Sequence, residues 1–304
     1  MKAFPKLVPF LGILIALAGF WGCQVNSSTG AVALRITDAP VDNPDIDGVW
    51  LTIGEVQYNL GGDDSGWQVF SDLAGPQKIN LLDYQNGLAF LLGSFTLPSG
   101  QYDQIRFMLD IPDEGTKVPP ASPGCYVSFK DGTTAPLFVP SGLQTGYKAV
   151  GSFQVPVNGT VDITADFDLH KSLRLTKNGN RYLLQPTIRL VVDDQAGAIE
   201  GAVINVPAEK VMVFAYADGT YIDSEALVLS GEVQFPNAVA SAVVDPAMQA
   251  YKVAFLAAGM YDLVVATANL DTTFSVNGFI PNVLVQGGQT THLPIDMLAL
   301  DSAP

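Results

Sequence analysis

The chain contains the stretch Leu-x-x-Gly-x-Tyr-Asp twice, as Leu97-Pro-Ser-Gly-Gln-Tyr-Asp103 and as Leu256-Ala-Ala-Gly-Met-Tyr-Asp262. Each copy leads into a run of alternating apolar and polar residues, which is the pattern of a β-strand with one buried face. The spacing is that of a tyrosine corner, in which the Leu is buried, the Gly permits a tight turn and the Tyr hydroxyl bonds to the backbone just upstream. Two copies therefore predict two β-sandwiches.

Short β-type runs separated by turn dipeptides fill the rest of the chain from Ala31 onward. In Val49-Trp-Leu-Thr-Ile53 the apolar residues alternate, and they then shift by an odd step to Val56, which predicts a bulge near Gly54. Asp-Gly or Asn-Gly pairs at 131–132, 158–159 and 277–278 lie between apolar runs and predict hairpin turns. Strands at this spacing, without long helical periodicity, are typical of sandwiches or barrels.

A polar break at Asp193-Asp-Gln-Ala-Gly197 divides the strand-rich part of the chain. We therefore predict an all-β protein with two β-sandwich domains, immunoglobulin-like or prealbumin-like, over residues 31–194 and 195–304. Both lengths lie within the usual size range of domains. Residues 1–22 are interpreted as a lipoprotein signal peptide and residues 23–30 as a polar tether.

The N terminus has the layout of an export signal. Residues 1–6 carry two lysines, residues 7–21 are almost wholly apolar, and Gly22-Cys23 precedes a polar stretch. The apolar run is shorter than the ~20 residues that a spanning helix needs, which favours cleavage over a retained anchor. We predict lipidation at Cys23, and Gln24 favours the outer membrane of a Gram-negative bacterium, on either of its faces. Ordinary cleavage after Ala18 is the alternative.

Charge and cysteine content limit the partners. Removing the signal takes away Lys2 and Lys6 and no acid, so the formal charge falls from −15 to −17. Such a chain repels nucleic acid and anionic lipid headgroups, and nucleic acid is excluded as a partner. The two cysteines are Cys23 and Cys125. If Cys23 carries lipid, Cys125 has no intramolecular disulfide partner, and its strand-like setting predicts a buried structural thiol.

Further stretches carry a family resemblance. Leu34-Arg-Ile-Thr-Asp-Ala-Pro-Val-Asp42 and Trp50-Leu-Thr-Ile53 resemble the opening of the bacterial "domain of unknown function 4382" family. The likeness continues in order through Ile79-Asn-Leu-Leu82, Gly100-Gln-Tyr-Asp-Gln-Ile-Arg106, Pro140-Ser-Gly-Leu-Gln-Thr-Gly-Tyr-Lys148, Asp166-Phe-Asp-Leu-His-Lys-Ser172 and Leu184-Gln-Pro186. It spans residues 31–193 and implies an exported protein, often a lipoprotein. Residues 198–298 are similar to the carboxypeptidase-regulatory or transthyretin-like β-sandwich that often follows. The resemblance implies no activity.

Two groups of acidic residues are candidate metal sites. If Val161-Asp-Ile-Thr-Ala-Asp-Phe-Asp-Leu-His170 were one strand, Asp166, Asp168 and His170 would share a face, and two of them could bind one metal ion. The alternative is a polar outer face, or carboxylates paired with Arg106 or Lys148.

The second group lies in and around Asn43-Pro-Asp-Ile-Asp-Gly48, which has the look of a calcium loop but fails the EF-hand spacing. Asp38, Asp42, Asp45 and Asp47 could form a non-standard Ca²⁺ site there, and Ca²⁺ is the one cofactor that the sequence suggests. The alternative is a solvated turn in which Asp and Asn cap backbone donors.

Two classes of function follow. The first is a lipid-anchored, non-enzymatic envelope protein that acts as a binding or structural module for a glycan, an envelope component or a surface protein. The second is a metal-assisted hydrolase that uses Asp166, Asp168 and His170. The chain has only one other histidine, His292, so a Ser-His-Asp triad has few possible bases.

Overall fold

A computed structural model describes residues 28–59, 66–112, 115–116, 120–140, 146–176, 181–227, 233–269 and 273–301. Strands dominate these residues, and the all-β prediction is confirmed. A single helical turn, α1 (Leu169–Ser172), and 3-10 turns at Leu81–Tyr84, Asp193–Gln195 and Asp223–Ala226 interrupt them. Within these ranges no helix has the length and apolar character needed to cross a membrane.

The first thirteen strands join in one continuous sheet, which we call the N-terminal unit. They are β1 (Thr29–Ala39), β2 (Ile46–Asn59), β3 (Gln68–Val69), β4 (Gln77–Asn80), β5 (Phe90–Pro98), β6 (Gly100–Leu109), β7 (Tyr126–Phe129), β8 (Thr134–Phe138), β9 (Tyr147–Val155), β10 (Thr160–Asp168), β11 (Leu173–Leu175), β12 (Tyr182–Leu184) and β13 (Ile188–Val192). The order is β11-β12-β8-β7-β2-β6-β9-β13-β10-β1-β5, with β3 and β4 also paired to β2.

The sheet of the N-terminal unit encloses a single core. Alternate residues of β1 (Val32, Leu34 and Ile36) are fully buried, as period-2 patterning requires. The ring of Phe95 on the edge strand β5 packs against Phe70, next to β3, with centroids 4.6 Å apart. Because β3 pairs with β2 near the middle of the sheet, this contact shows that the sheet folds over itself and forms a sandwich.

The remaining strands form two four-stranded sheets, which we call the C-terminal unit. They are β14 (Ala196–Ile204), β15 (Val211–Ala217), β16 (Ala240–Val243), β17 (Ala250–Ala257), β18 (Gly259–Ala268), β19 (Phe274–Val285), β20 (Thr290–His292) and β21 (Ile295–Asp296). One sheet has the order β17-β14-β20, with β21 also paired to β14, and the other has β16-β15-β18-β19. The change from the first unit to the second falls between residues 192 and 196. Independent folding of the two units stays a prediction.

Strand β15 is buried on both faces, which is unusual for a strand of an antiparallel sheet. One face, with Val211 and Val213, packs into the core between the two sheets. The other face, with Met212 and Phe214, packs into a second apolar cluster that includes Phe235 and Phe274. This second cluster lies against the N-terminal unit, because the ring of His170 contacts Phe214.

Both predicted tyrosine corners are confirmed. The Tyr102 hydroxyl donates a hydrogen bond to the carbonyl of Pro98 at 2.7 Å, and Tyr261 donates to the carbonyl of Ala257 at 2.9 Å. Leu97 and Leu256, the first residues of the two motifs, are also buried. Each corner therefore ties a strand to the turn just before it, once in each unit.

We expect Tyr102→Phe and Tyr261→Phe each to lower the free energy of unfolding by about 1 kcal/mol, because each removes one buried hydrogen bond and keeps the ring. Urea unfolding of the full chain measures this change. Tyr126→Phe is the matched control, since Tyr126 lies half-buried on the outer surface of β7. Loss of stability in Tyr126→Phe as large as in the corner variants would contradict the assignment.

Of the predicted turns and bulge, two features are confirmed and two are wrong. Asp131-Gly132 joins the antiparallel hairpin β7–β8, and a register shift between Ile53 and Glu55 confirms the bulge at Gly54. The hairpin predicted at Asn158-Gly159 is wrong, because β13 lies between β9 and β10 in the sheet. Asn277-Gly278 lies inside β19 and makes no turn. A Cβ at Gly278 would fall 2.3 Å from the Cβ of Leu300. The absence of a side chain at this position therefore lets the segment around Leu300 pack against β19.

Candidate functional site

Asp166, Asp168 and His170 do not share a strand face. Strand β10 ends at Asp168, whose Oδ1 accepts a hydrogen bond from the Lys171 backbone N–H at 3.2 Å and caps the helical turn α1. His170 therefore leaves the sheet on α1, and its ring is buried. The predicted alternation of strand faces ends at Asp168, because its side chain caps a helical turn where the strand was expected to continue. Asp, Asn, Ser and Thr side chains favour such caps.

Asp166 pairs with an arginine that the sequence did not single out. It lies directly opposite Arg189 on β13, whose Nε and Nη2 are 2.8 Å and 2.6 Å from Asp166 Oδ2. The predicted alternatives, Arg106 and Lys148, are not its partners in this ion pair. Arg189 also donates from Nη1 to the carbonyl of Phe255 in the C-terminal unit at 2.6 Å. One guanidinium thus neutralises a buried carboxylate and bonds to the second unit.

The carbonyl of Phe255 comes from a bulge in β17. The pairing of β14 with β17 shifts register between Gly197 and Ile199, which leaves Ala254 and Phe255 out of the ladder. Phe255 has a φ of +57°, in the left-handed region that bulky residues rarely adopt. Such local strain persists only where surrounding contacts hold it, and the bond from Arg189 is one of those contacts.

His170 bridges the two units. Its Nδ1 lies 2.5 Å from Asp42 Oδ1 in the N-terminal unit, and its Nε2 lies 2.7 Å from the carbonyl oxygen of Gln234 in the C-terminal unit. The ring packs against Phe214 and Phe274, with centroids 5.2 Å and 6.3 Å away. A buried polar ring needs partners for both nitrogens, and His170 has them.

Two lysines complete the junction. Lys171 lies 3.0 Å from Asp168 Oδ2 and also donates to the carbonyl of Ala238 in the C-terminal unit. In the opposite direction, Lys210 of the C-terminal unit donates to the carbonyl of Val41. Burial lowers the pKa of Lys210, although nearby carboxylates of the N-terminal unit oppose the shift.

Four hydrogen bonds within the described ranges cross between the units, and we call them the seam: His170 to Gln234, Lys171 to Ala238, Arg189 to Phe255 and Lys210 to Val41. In each of them a basic side chain meets a backbone carbonyl. The three basic side chains from the N-terminal unit each also contact an aspartate of their own unit, which offsets the cost of burying the charge. The three aspartates are Asp166 and Asp168 from the first predicted metal group and Asp42 from the second.

The second predicted group, Asp38, Asp42, Asp45 and Asp47, does not assemble either. Asp38 is buried and accepts a hydrogen bond from the Leu169 N–H at 3.2 Å, and Asp42 contacts His170. Asp45 and Asp47 are exposed, and Asp47 accepts from the Ser128 hydroxyl at 2.6 Å. In the described part of the chain, no three His, Cys, Asp or Glu side chains form a group that could hold a metal ion.

The structure instead brings Asp38 of one predicted group close to Asp166 of the other. Both line a small crevice at the seam, together with Asn86, Lys252 and Phe255. Burial raises the pKa of Asp38 well above its usual range, and the charge of Asp166 adds to the rise. The pKa of Asp166 is also raised by burial, although the Arg189 charge opposes the shift.

Both cysteines were assigned from the sequence, and the structure describes one of them. Cys125 is fully buried, as predicted for a structural thiol. Burial raises its pKa to about 12, which keeps it protonated and unreactive near neutral pH. Cys23, the signal peptide at residues 1–22 and most of the tether lie outside the described residues, so lipidation stays a prediction.

Residues 29–186 match the family model described as "Domain of unknown function (DUF4382)". The match covers more than half of the chain, and the protein belongs to this family. No curated protein matches the chain at a significant level. The family assignment confirms the resemblance of the N-terminal part, and it carries no reaction or ligand with it.

Several solved structures have a low similarity to the chain. They include the Bacillus anthracis TIE protein, with 13% identity and a TM-score of 0.19 over 88% of this chain. Another is GBS52, the minor pilin of Streptococcus agalactiae, with 12% identity and a TM-score of 0.20, covering 91% of this chain and 97% of that one. A third is a putative adhesin from Bacteroides ovatus, with 11% identity, a TM-score of 0.19 and coverage of 92% and 94%. This chain spans 34% of the TIE protein. At these TM-scores the likeness carries no argument about function.

Proposed function

We propose that this protein is a lipid-anchored cell-envelope protein whose two β-units act as a binding or structural module and not as an enzyme. The observation that carries the proposal is the seam. His170 bonds across the seam itself, and Asp166 and Asp168 pair with the two other cations of the N-terminal unit that cross it. Each has a protein partner within hydrogen-bond distance.

The charge pattern of the seam supports a structural role. A hydrolytic metal site needs ligands that converge on one point and leave a position open for water or substrate. Here Asp166 Oδ2 meets Arg189, Asp168 Oδ2 meets Lys171, and His170 uses both nitrogens. A module displayed from a lipid anchor needs a fixed geometry between its parts, which buried ion pairs of this kind supply.

The partner classes remain those of the sequence-based expectation: a glycan, an envelope component or another surface protein. An aromatic pair on the outer surface is the part of the N-terminal unit best suited to such contact. Trp50 and Tyr126 are half-buried cross-strand neighbours with centroids 5.9 Å apart, and the Lys78 ammonium lies 4.6 Å from the Tyr126 ring. Aromatic and basic side chains are common at interfaces, which supports a binding role for this surface.

The lipid anchor is tested by metabolic labelling. We expect cells that express the full chain to incorporate a labelled fatty acid into the protein and to keep it in the membrane fraction. Cys23→Ser removes the thiol that carries the lipid, so label should be lost and the protein released. Labelling followed by gel fluorescence and membrane fractionation measures both effects.

Cys125→Ser is the matched control, and we expect it to keep the label because Cys125 is buried in the N-terminal unit. Equal labelling of wild type and Cys23→Ser would contradict the anchor. Stoichiometric metal in the purified chain that is lost on Asp168→Ala would contradict the non-enzymatic assignment.

A further inference from the structure

Both ring nitrogens of His170 face hydrogen-bond acceptors. Asp42 Oδ1 is 2.5 Å from Nδ1, and the Gln234 carbonyl oxygen is 2.7 Å from Nε2. A neutral imidazole carries one N–H, and only the doubly protonated, charged ring carries two. The geometry therefore fits the imidazolium form, with one donor directed at each unit.

Charged groups approach the His170 ring from both units, and apolar rings cover its remaining sides. Asp42 approaches from the segment after β1, and Asp168 lies at the end of β10. Lys210 of the C-terminal unit interacts electrostatically with Asp42. On the remaining sides the ring meets Phe214 and Phe274, which are apolar.

These neighbours act in opposite directions on the pKa. Burial disfavours the charged ring and lowers the pKa of His170, whereas the charge and hydrogen bond of Asp42, the charge of Asp168 and the bond to the Gln234 carbonyl raise it. The net direction is upward from 6.5. The upward direction favours the protonated ring, in agreement with the two acceptors that face its nitrogens.

We propose that the proton on His170 controls the attachment of the C-terminal unit, so that the seam is closed in acid and loosened in mild base. Loss of the proton leaves the ring with one N–H for two acceptors. Either the buried Gln234 carbonyl then lacks a donor, at the cost of an unsatisfied buried polar group, or the unprotonated Nδ1 faces the partly exposed Asp42 carboxylate at 2.5 Å. The His170 ring packs against the apolar cluster that covers β15. Loss of the proton therefore weakens the contact between the two units.

The pH window follows from linkage. The folded pKa of His170 is raised, so its stabilising contribution is fully present below the unfolded value near 6.5 and is lost as pH rises through the folded pKa. Among the other seam cations, the pKa of Lys210 is also shifted, and burial lowers it from its usual range.

The chain offers an internal reference for the test, because His170 and His292 are its only histidines. The side chain of His292 is 75% exposed. We expect NMR titration of the full chain to show two histidine signals, with the signal of His170 titrating above ~6.5. Asp42→Asn should lower the shifted pKa by about 1 unit or more, because it removes the facing carboxylate. This second variant keeps the proposal testable if replacement of His170 prevents folding.

Small-angle X-ray scattering of the full chain at pH 6 and pH 9 tests whether the two units separate as pH rises. We expect the wild type to have a larger radius of gyration at pH 9, His170→Gln to be expanded and insensitive to pH, and His292→Gln to behave as the wild type. A His170 pKa at or below 6.5 would overturn the proposal. So would a radius of gyration of the wild type that is the same at both pH values.

Discussion

Arg189→Met is expected to lower the free energy of unfolding by about 3 kcal/mol, the largest loss among single changes in the seam. The substitution leaves the Asp166 carboxylate, whose side chain is 9% exposed, without its counter-charge and close to the second buried carboxylate, Asp38. It also removes the donor to the Phe255 carbonyl. Urea unfolding followed by circular dichroism measures the change.

Arg35→Met is the matched control on the same sheet. Arg35 pairs with Asp162 and Asp193, and its side chain and that of Asp162 are 32% and 46% exposed, so the pair is screened by solvent. We expect a loss of about 1 kcal/mol or less. Combining Arg189→Met with Asp166→Leu should recover part of the loss, because the uncompensated charge is gone. Equal losses in Arg189→Met and Arg35→Met would refute the role assigned to the seam.

Gly201→Ala is expected to destabilise the C-terminal unit by about 3 kcal/mol or more, at the upper end of the cost of overpacking. A Cβ at Gly201 would fall 2.0 Å from the carbonyl oxygen of Leu293, which is backbone and cannot move aside as a side chain could. Leu293 and Pro294 connect β20 to β21, and both of these strands pair with β14 on either side of Gly201. Calorimetry of the full chain would register the loss as a lower transition temperature.

The control for this substitution is Gly54→Ala at the bulge in β2. The nearest atom to a Cβ at Gly54 is the Met108 carbonyl oxygen at 3.6 Å, an ordinary contact. We expect stability to stay the same or to rise by up to about 1 kcal/mol, because alanine restricts the unfolded chain. If Gly201→Ala proved as well tolerated as Gly54→Ala, the close approach of the Leu293 carbonyl would be wrong.

Local patterns in the sequence predicted the features whose causes are themselves local. The tyrosine corners were predicted correctly because Leu, Gly and Tyr act within six residues of one another, and the hydroxyl reaches a carbonyl four positions upstream. The Gly54 bulge was predicted from an odd step in the apolar pattern within one strand. The burial of Cys125 followed from its apolar neighbours.

The site depended on contacts between distant segments, which no local pattern contains. Asp166 and Arg189 are 23 residues apart and meet only because β13 pairs with β10. His170 meets Gln234 across 64 residues and two units. The error at Asn158-Gly159 has the same origin, since β13 inserts between the two strands that this turn joins. A spacing rule for strand faces also failed at Asp168, where a cap ended the strand.

The seam places unequal demands on the two halves of the chain. In the N-terminal unit, the identity of His170, Lys171 and Arg189 matters, because each must be a cation with a particular reach. Their acceptors in the C-terminal unit are main-chain carbonyls, which every amino acid carries. The side chains at positions 234, 238 and 255 are thus free to change as far as these bonds are concerned. A different β-sandwich with the same backbone path could therefore be fused to this N-terminal unit and dock on it without any redesign of the three donors.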